Sequence, residues 1–326
     1  MLTGKTSRRV SILRAVGFLL MGTILISQPL VGASSSISLP NAAGEWVVPE
    51  GENVARKPVG EILIDVLDEG HFVVDAAQVE TVRPDIFQPG HFSVFDVLVQ
   101  LAEQGDIELD YHFDESMNTH VIDAINGQSG WWYEARYAGG WYERNVTRMD
   151  TYPVKDGMSI LIRPDDGDRV ARIHESFAGE VVRLEANDGQ VVLPEVLIRG
   201  RRGRAEFLDV VVTAHDTRAD LFQPGVITAL DVLLSLGEQG HLSQLGITWY
   251  DEILGIGPVD NYWVERMTGG GAQGIADGGC GFVYEVGPTA FPGFAGSHIH
   301  LPSDARVLVS PEYMLWFWIC LPPEEH

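Results

Sequence analysis

Apolar and polar positions along this 326-residue chain follow one order of patterns, and the order occurs twice. Ile62–Val66 and Phe72–Val74 are short β-branched runs on either side of Asp68-Glu-Gly70, which predicts a hairpin. Val196–Ile198 and Phe207–Val212 repeat it, with Gly203 near the turn. Phe-Gln-Pro-Gly then ends each strand and turns the chain, at Phe87–Gly90 and Phe222–Gly225. A helical spacing follows. Val94, Phe95, Leu98, Val99 and Leu101 share one helical face, as do Leu230, Leu233, Leu234 and Leu236. Ser93 and Thr228 stand where a cap belongs, and Gly105 and Gly240 where a stop belongs.

Strand patterns then return. His120–Ile125 alternates and ends at Asn126-Gly127, a tight-turn dipeptide. Trp131–Tyr137 and Trp141-Tyr142 follow, and Lys155-Asp-Gly157 turns into Met158–Ile162. In the second copy the strands are Tyr262–Met267, Gly281–Val286 and Tyr313–Ile319. The last is continuously apolar, so both of its faces should be covered. Arg83–Gly105 aligns with Arg218–Gly240 without a gap, and 13 of 23 positions are identical, too many for chance.

Two strands, one helix and about three strands make an α+β sandwich of two layers. The natural architecture is two tandem β-grasp-like domains, each with one helix packed on a mixed sheet. The first is expected over 59–164 and the second over 195–326, the latter with a Gly-rich insertion reaching Gly279. Residues 165–194 read as a linker or a hairpin turning at Asn187-Asp-Gly189, and 34–58 as a flexible tether.

Residues 1–33 fit an export signal. Lys5, Arg8, Arg9 and Arg14 precede an apolar run from Val16 to Ile26, and Val31-Gly-Ala33 fits a cleavage site. An uncleaved anchor is the alternative, although the run is shorter than the ~20 residues a bilayer needs. The expected location is therefore outside the cytoplasm: secreted, at the cell surface or in the periplasm. Without the four leader cations, the net charge of −24 becomes −28. That balance excludes nucleic acid as a partner and disfavours an anionic membrane surface. Lysine is scarce, with only Lys5, Lys57 and Lys155. In an exported chain the two cysteines, Cys280 and Cys320, read as a disulfide closing a loop worth roughly 3–4 kcal/mol in the chain-entropy model; two free thiols are the alternative.

The candidate chemistry is aromatic. Trp131, Trp132, Tyr133, Tyr137, Trp141 and Tyr142 cluster in the first copy, and Tyr262, Trp263 and Tyr284 are their counterparts in the second. Alternation puts Trp131, Tyr133 and Tyr137 on one face and Trp132 on the other. One set can fill the core while the other stacks on a flat ligand, a sugar or a protein. Sheet-core packing of most of them is the competing account.

Asp165-Asp-Gly-Asp168 resembles part of a calcium loop but lacks its downstream Glu, which favours a solvated acidic turn. His298, His300 and Asp304 form a weak metal candidate without a third nitrogen or thiolate, so no metal and no cofactor is expected. Asp110, His112 and Asp114 alternate as a polar strand face, and Asn145-Val-Thr147 is a glycosylation sequon. No nucleophile elbow, zincin motif, phosphate loop or dinucleotide fingerprint occurs. An enzyme is not expected, a hydrolase with a hidden acid pair being the exception.

Ser93–Leu98, Val121–Gly127 with Trp131–Tyr133, and Lys155-Asp-Gly157 fall in order over residues 90–163, and together they resemble the transcobalamin-like C-terminal domain family, a β-grasp-type group. Leu230–Leu233 and Phe282–Tyr284 match in the second copy, which lacks the Asp-Gly turn. The resemblance implies a binding module. Its ligand would be a small molecule, with cobalamin among the candidates, or a glycan. The helical domain that accompanies the module in animal cobalamin carriers has no counterpart here. The competing function is a surface protein that self-associates through strand edges, with Met314–Ile319 as the place to look.

Overall fold

The computed structural model describes residues 34–38, 53–143, 147–253, 256–277, 280–287 and 302–320. The expected leader, the sequon at Asn145, and His298 and His300 lie outside the described residues. Among these residues no helix is long and apolar enough to cross a membrane.

β1 (Ser34–Ser38) comes first, inside the segment expected to be a tether. β2 (Glu61–Val66) and β3 (Gly70–Asp75) form the predicted hairpin, with Asp68 at φ 66 in its turn. Ile62, Ile64 and Val66 are buried and Leu63 is exposed, the alternation of a strand with one covered face. α1 (Val94–Glu103) begins at a complete capping box: Ser93 Oγ accepts from the Asp96 amide at 3.1 Å, and Asp96 accepts from the Ser93 amide at 2.6 Å. β4 (Leu109–Asp114) and β5 (Thr119–Ile125) make a separate hairpin. β6 (Trp131–Arg136), β7 (Tyr142–Glu143) and β8 (Ser159–Pro164) complete a sheet of order β3-β2-β8-β6-β7, in which β2 and β8 are parallel.

Residues 167–186 correct the expected linker or hairpin. They form α2 (Gly167–Ala186), capped by the Asp166 carboxylate accepting from the Asp168 amide at 2.9 Å. Val170, Ile173 and Phe177 recur at helical spacing, and Asn187-Asp-Gly189 is the helix's exit rather than a hairpin turn. The acidic run is thus a helix start, and Asp165 pairs with Arg169 one turn on.

The second unit begins with β9 (Val191–Arg199) and β10 (Arg204–Val212), followed by α3 (Ala229–Glu238) behind a Thr228–Asp231 capping box. β11 (Leu242–Ile253), β12 (Gly257–Gly269) and β13 (Ala272–Ile275) form a sheet that β1 extends at its edge, so part of the expected tether is a strand. The expected Gly-rich loop is also corrected. Gly269 ends β12, and Gly270 and Gly271 turn into β13 with φ of 58 and 97. β14 (Cys280–Gly287) and β15 (Tyr313–Cys320) complete the order β10-β9-β15-β14, with β9 and β15 parallel. Cys280 and Cys320 are paired across β14 and β15 in a disulfide. The terminal apolar strand β15 is therefore central, not an edge.

Both units share the strand order and the parallel central pair, giving an α+β architecture with three helices among the described residues. They meet through the repeated motif itself. The amides of Gln88 and Gln223 donate to Leu221 and Ile86 carbonyls at 3.0 and 2.8 Å. Their side-chain amides donate to Phe222 and Phe87 carbonyls at 3.0 and 2.9 Å. Phe87 and Phe222 touch, with ring centroids 5.6 Å apart. Each motif gives and receives the same bonds, a two-fold arrangement within one chain.

Candidate functional site

β7 pairs only with Ala135 and Arg136, so the start of β6 has one edge outside the sheet ladder. β5 and α2 flank that edge, and a cavity of about 200 Å³ opens between them. Trp131 and Trp132 form one wall, His120 and Ile122 a second, and Val170, His174 and Phe177 of α2 a third. Spacings of four and three put the α2 residues on one helical face. Trp132 packs on His174 and Phe177 with ring centroids 6.0 and 6.5 Å away. Arg148 pins α2 through an ion pair to Glu180 at 2.5 Å and lies 4.3 Å over the Phe177 ring.

The His120 wall is fixed by a buried carboxylate. Asp150 is fully buried and accepts from His120 Nδ1 and the His120 amide at 3.0 and 2.9 Å, from Thr119 Oγ1 at 2.6 Å and from Arg83 at 3.0 Å. Burial alone favours the neutral acid, but the bonds from His120 and Thr119 and the Arg83 charge outweigh it and hold Asp150 below the usual carboxylate range. His120 also stacks on Phe95 at 5.1 Å. His174 is half-buried, and burial lowers its pKa, favouring the neutral ring. The site thus offers aromatic walls and two imidazoles to a compact ligand. The Thr119 hydroxyl donates to the same Asp150 carboxylate that holds His120.

Of the two accounts of the aromatic residues, sheet-core packing describes most of them: Trp131, Trp132, Tyr133, Tyr137, Tyr262 and Tyr284 are all buried. Trp131 and Tyr133 do lie on the inner face of β6 and Trp132 on the outer, but α2 covers the outer face there. The inner tyrosines are satisfied internally. Tyr133 donates to the Thr147 carbonyl at 3.0 Å, and Tyr152, in contact with Tyr137 at 3.1 Å, donates to Glu143 at 2.8 Å. Burial raises all three phenols well above their ordinary pKa. Trp141 and Trp263 are half-buried, and only Tyr142, 60% exposed, is open to solvent.

Two of the nine aromatic residues named from sequence, Trp131 and Trp132, line the cavity. His120, His174 and Phe177 were missed as site residues. The helical spacing of Val170, Ile173 and Phe177 was the available signal for the α2 wall. Asp304 is fully buried and pairs with Arg218 at 2.8 Å, the second unit's version of Asp150 on Arg83. Asp110, His112 and Asp114 lie on β4, where His112 pairs with Asp123 at 2.8 Å at the surface. No family model, curated protein or solved structure matches the chain.

Proposed function

We propose that this protein is an exported, non-enzymatic binding protein of two β-grasp-like units, and that the first unit takes a compact small molecule between β5, β6 and α2. The observation that carries this reading is the aromatic cavity. Its volume of about 200 Å³ equals roughly seven waters at ~30 Å³ each, enough for a single planar ring with a polar edge. A corrin is far larger than this, so cobalamin or a glycan could offer only one edge group to the cavity. Parallel central strands flanked by an N-terminal hairpin, with a helix between, support the β-grasp reading. The Cys280–Cys320 pair suits an oxidising compartment.

Tryptophan fluorescence of the full chain, titrated with monocyclic aromatic acids, cobalamin, haem and a glycan panel, tests the proposal. A saturable change that Val170→Phe abolishes, with thermal stability retained, supports it. No saturable response to any probe sinks it. The assembly reading rests on a different observation. β3 and β10 are edge strands that expose Val73, Leu208 and Val211, and the central place of β15 moves any edge pairing to them. A sedimentation coefficient that rises with concentration would favour that reading.

A further inference from the structure

Lys155 is one of two lysines beyond the leader, and it sits at the joint between the units. It belongs to the turn before β8 in the first unit, yet its Nζ donates to the Val259 carbonyl and to Asn261 Oδ1 on β12 of the second. On the far side of that amide is an acid. Asn261 Nδ2 donates to Asp304 Oδ1 at 2.6 Å. Asp304 is fully buried, and its other oxygen accepts from Arg218 at 2.8 Å and from the Tyr262 amide at 2.9 Å. An amine, a carboxamide and a buried carboxylate thus stand in a row, with the amide between the other two.

We propose that Lys155 and Asn261 are joined by an intramolecular isopeptide bond, with Asp304 assisting departure of the amide nitrogen, so that the two units become covalently one. The neutral Lys155 amine adds its lone pair to Asn261 Cγ, forming the Nζ–Cγ bond. The Cγ–Nδ2 bond breaks. One Nζ proton passes within the tetrahedral adduct to Nδ2, which leaves as ammonia, while Asp304, bonded to Nδ2, stabilises the positive charge building on that nitrogen. One amide replaces another, so no oxidant, reductant or activated donor is consumed.

Three features favour the reaction over an ordinary hydrogen bond. Lys155 as a whole is half-buried, but its amine end is enclosed, and burial pushes its pKa down to about 8, which supplies the neutral nucleophile. Both partners are held by the fold, which turns a slow bimolecular aminolysis into a positioned intramolecular one. A void of about 10 Å³ bordered by Asn261, Tyr137 and Val259 lies beside the amide, close to the room one water-sized product needs. Arg218 acts as a positioning residue, because it fixes Asp304 without touching the reacting atoms.

The test is a peptide map of the reduced, denatured full chain, with intact masses beside it. The expected result is a branched peptide linking the segments that hold Lys155 and Asn261, and a chain lighter by about 17 Da, one ammonia, than its unjoined form. Lys155→Arg and Asn261→Ala should each lose the branch, and Asp304→Asn should leave most of the chain unjoined while circular dichroism shows it folded. If Asp304→Asn fails to fold, the wild-type map still decides. Separate linear peptides carrying Lys155 and Asn261, from protein held folded at pH 9, overturn the proposal. A free Lys155 has its own signature. Its folded pKa of about 8 lies below the unfolded value of ~10.4, so the unfolded chain binds more protons between them and stability rises from pH 8 to 10. The amide abolishes that rise.

Discussion

The two units share a strand order and a capped helix but treat the same motif differently. Arg83 and Arg218 each bridge an Asp two residues on and a remote buried Asp, and each lies over an aromatic ring: Phe113 at 5.6 Å and Trp249 at 5.1 Å. The nearer acid is 59% exposed in the first unit, at Asp85, and only 10% in the second, at Asp220. In the second unit Asp220 also accepts from the Ala55 amide at 2.6 Å and Asp304 from Asn261 at 2.6 Å, whereas the first unit has a cavity between β5, β6 and α2. Both copies thus share the joint and the helix cap, and they differ in how far the motif's nearer acid is buried.

The largest expected effect sharpens this contrast. Arg218→Ala strands Asp304 in the interior and should cost about 3–5 kcal/mol in denaturant unfolding. Arg83→Ala should cost about 1–3 kcal/mol, because Asp85 regains water and Asp150 keeps Thr119 and His120 as donors. Equal losses would break the comparison. Next, the double change Cys280→Ala with Cys320→Ala should remove roughly 2–4 kcal/mol. Hydrogen exchange should show that loss in β14 and β15 and leave β2 and β8 protected.

A smaller effect distinguishes the units by pH. Burial lowers His91 to about 4, and its Nε2 is buried without a partner among the described residues. The unfolded chain binds more protons between pH 4 and ~6.5, so this group's stability is lost as pH falls through that window. His215 moves the other way. Burial opposes its charged form, but the hydrogen bond and charge of Asp231, with Glu238, raise its pKa. Its contribution is present below ~6.5 and fades as pH rises through the folded value. His91→Asn should therefore flatten the acid limb of a stability–pH curve, and His215→Asn the limb above pH 6.5. The same limb responding to both would refute the assignment. Smallest of all, Tyr142→Ala at the exposed rim should change stability by less than about 0.5 kcal/mol in thermal melts.

Local chemistry was legible where it was self-contained. The Asp68-Glu-Gly70 hairpin and the capped α1 and α3 follow from short-range signals, and the Cys280–Cys320 pair from cysteine count and expected export; β1 and β11 had no such reading. α2 is legible from the spacing of Val170, Ile173 and Phe177, but Asn187-Asp-Gly189 carries the same turn chemistry whether it ends a helix or joins two strands. The exposure of the aromatic strand was not legible. Alternation on β6 says that Trp131 and Trp132 face opposite ways, and only the path of α2 says that both faces are covered.

The sequence by itself determined the duplication, which is an identity of residues, and the helix caps and first hairpin, which depend on residues a few positions apart and on torsional preference. The tertiary structure alone decided what lies beside what. It set Gln88 against Phe222, His120 against Asp150 and Lys155 against Asn261, pairs separated by 134, 30 and 106 residues. Such pairings come from burying two apolar layers and satisfying most of the polar groups trapped between them, a condition on the whole chain that no local window contains.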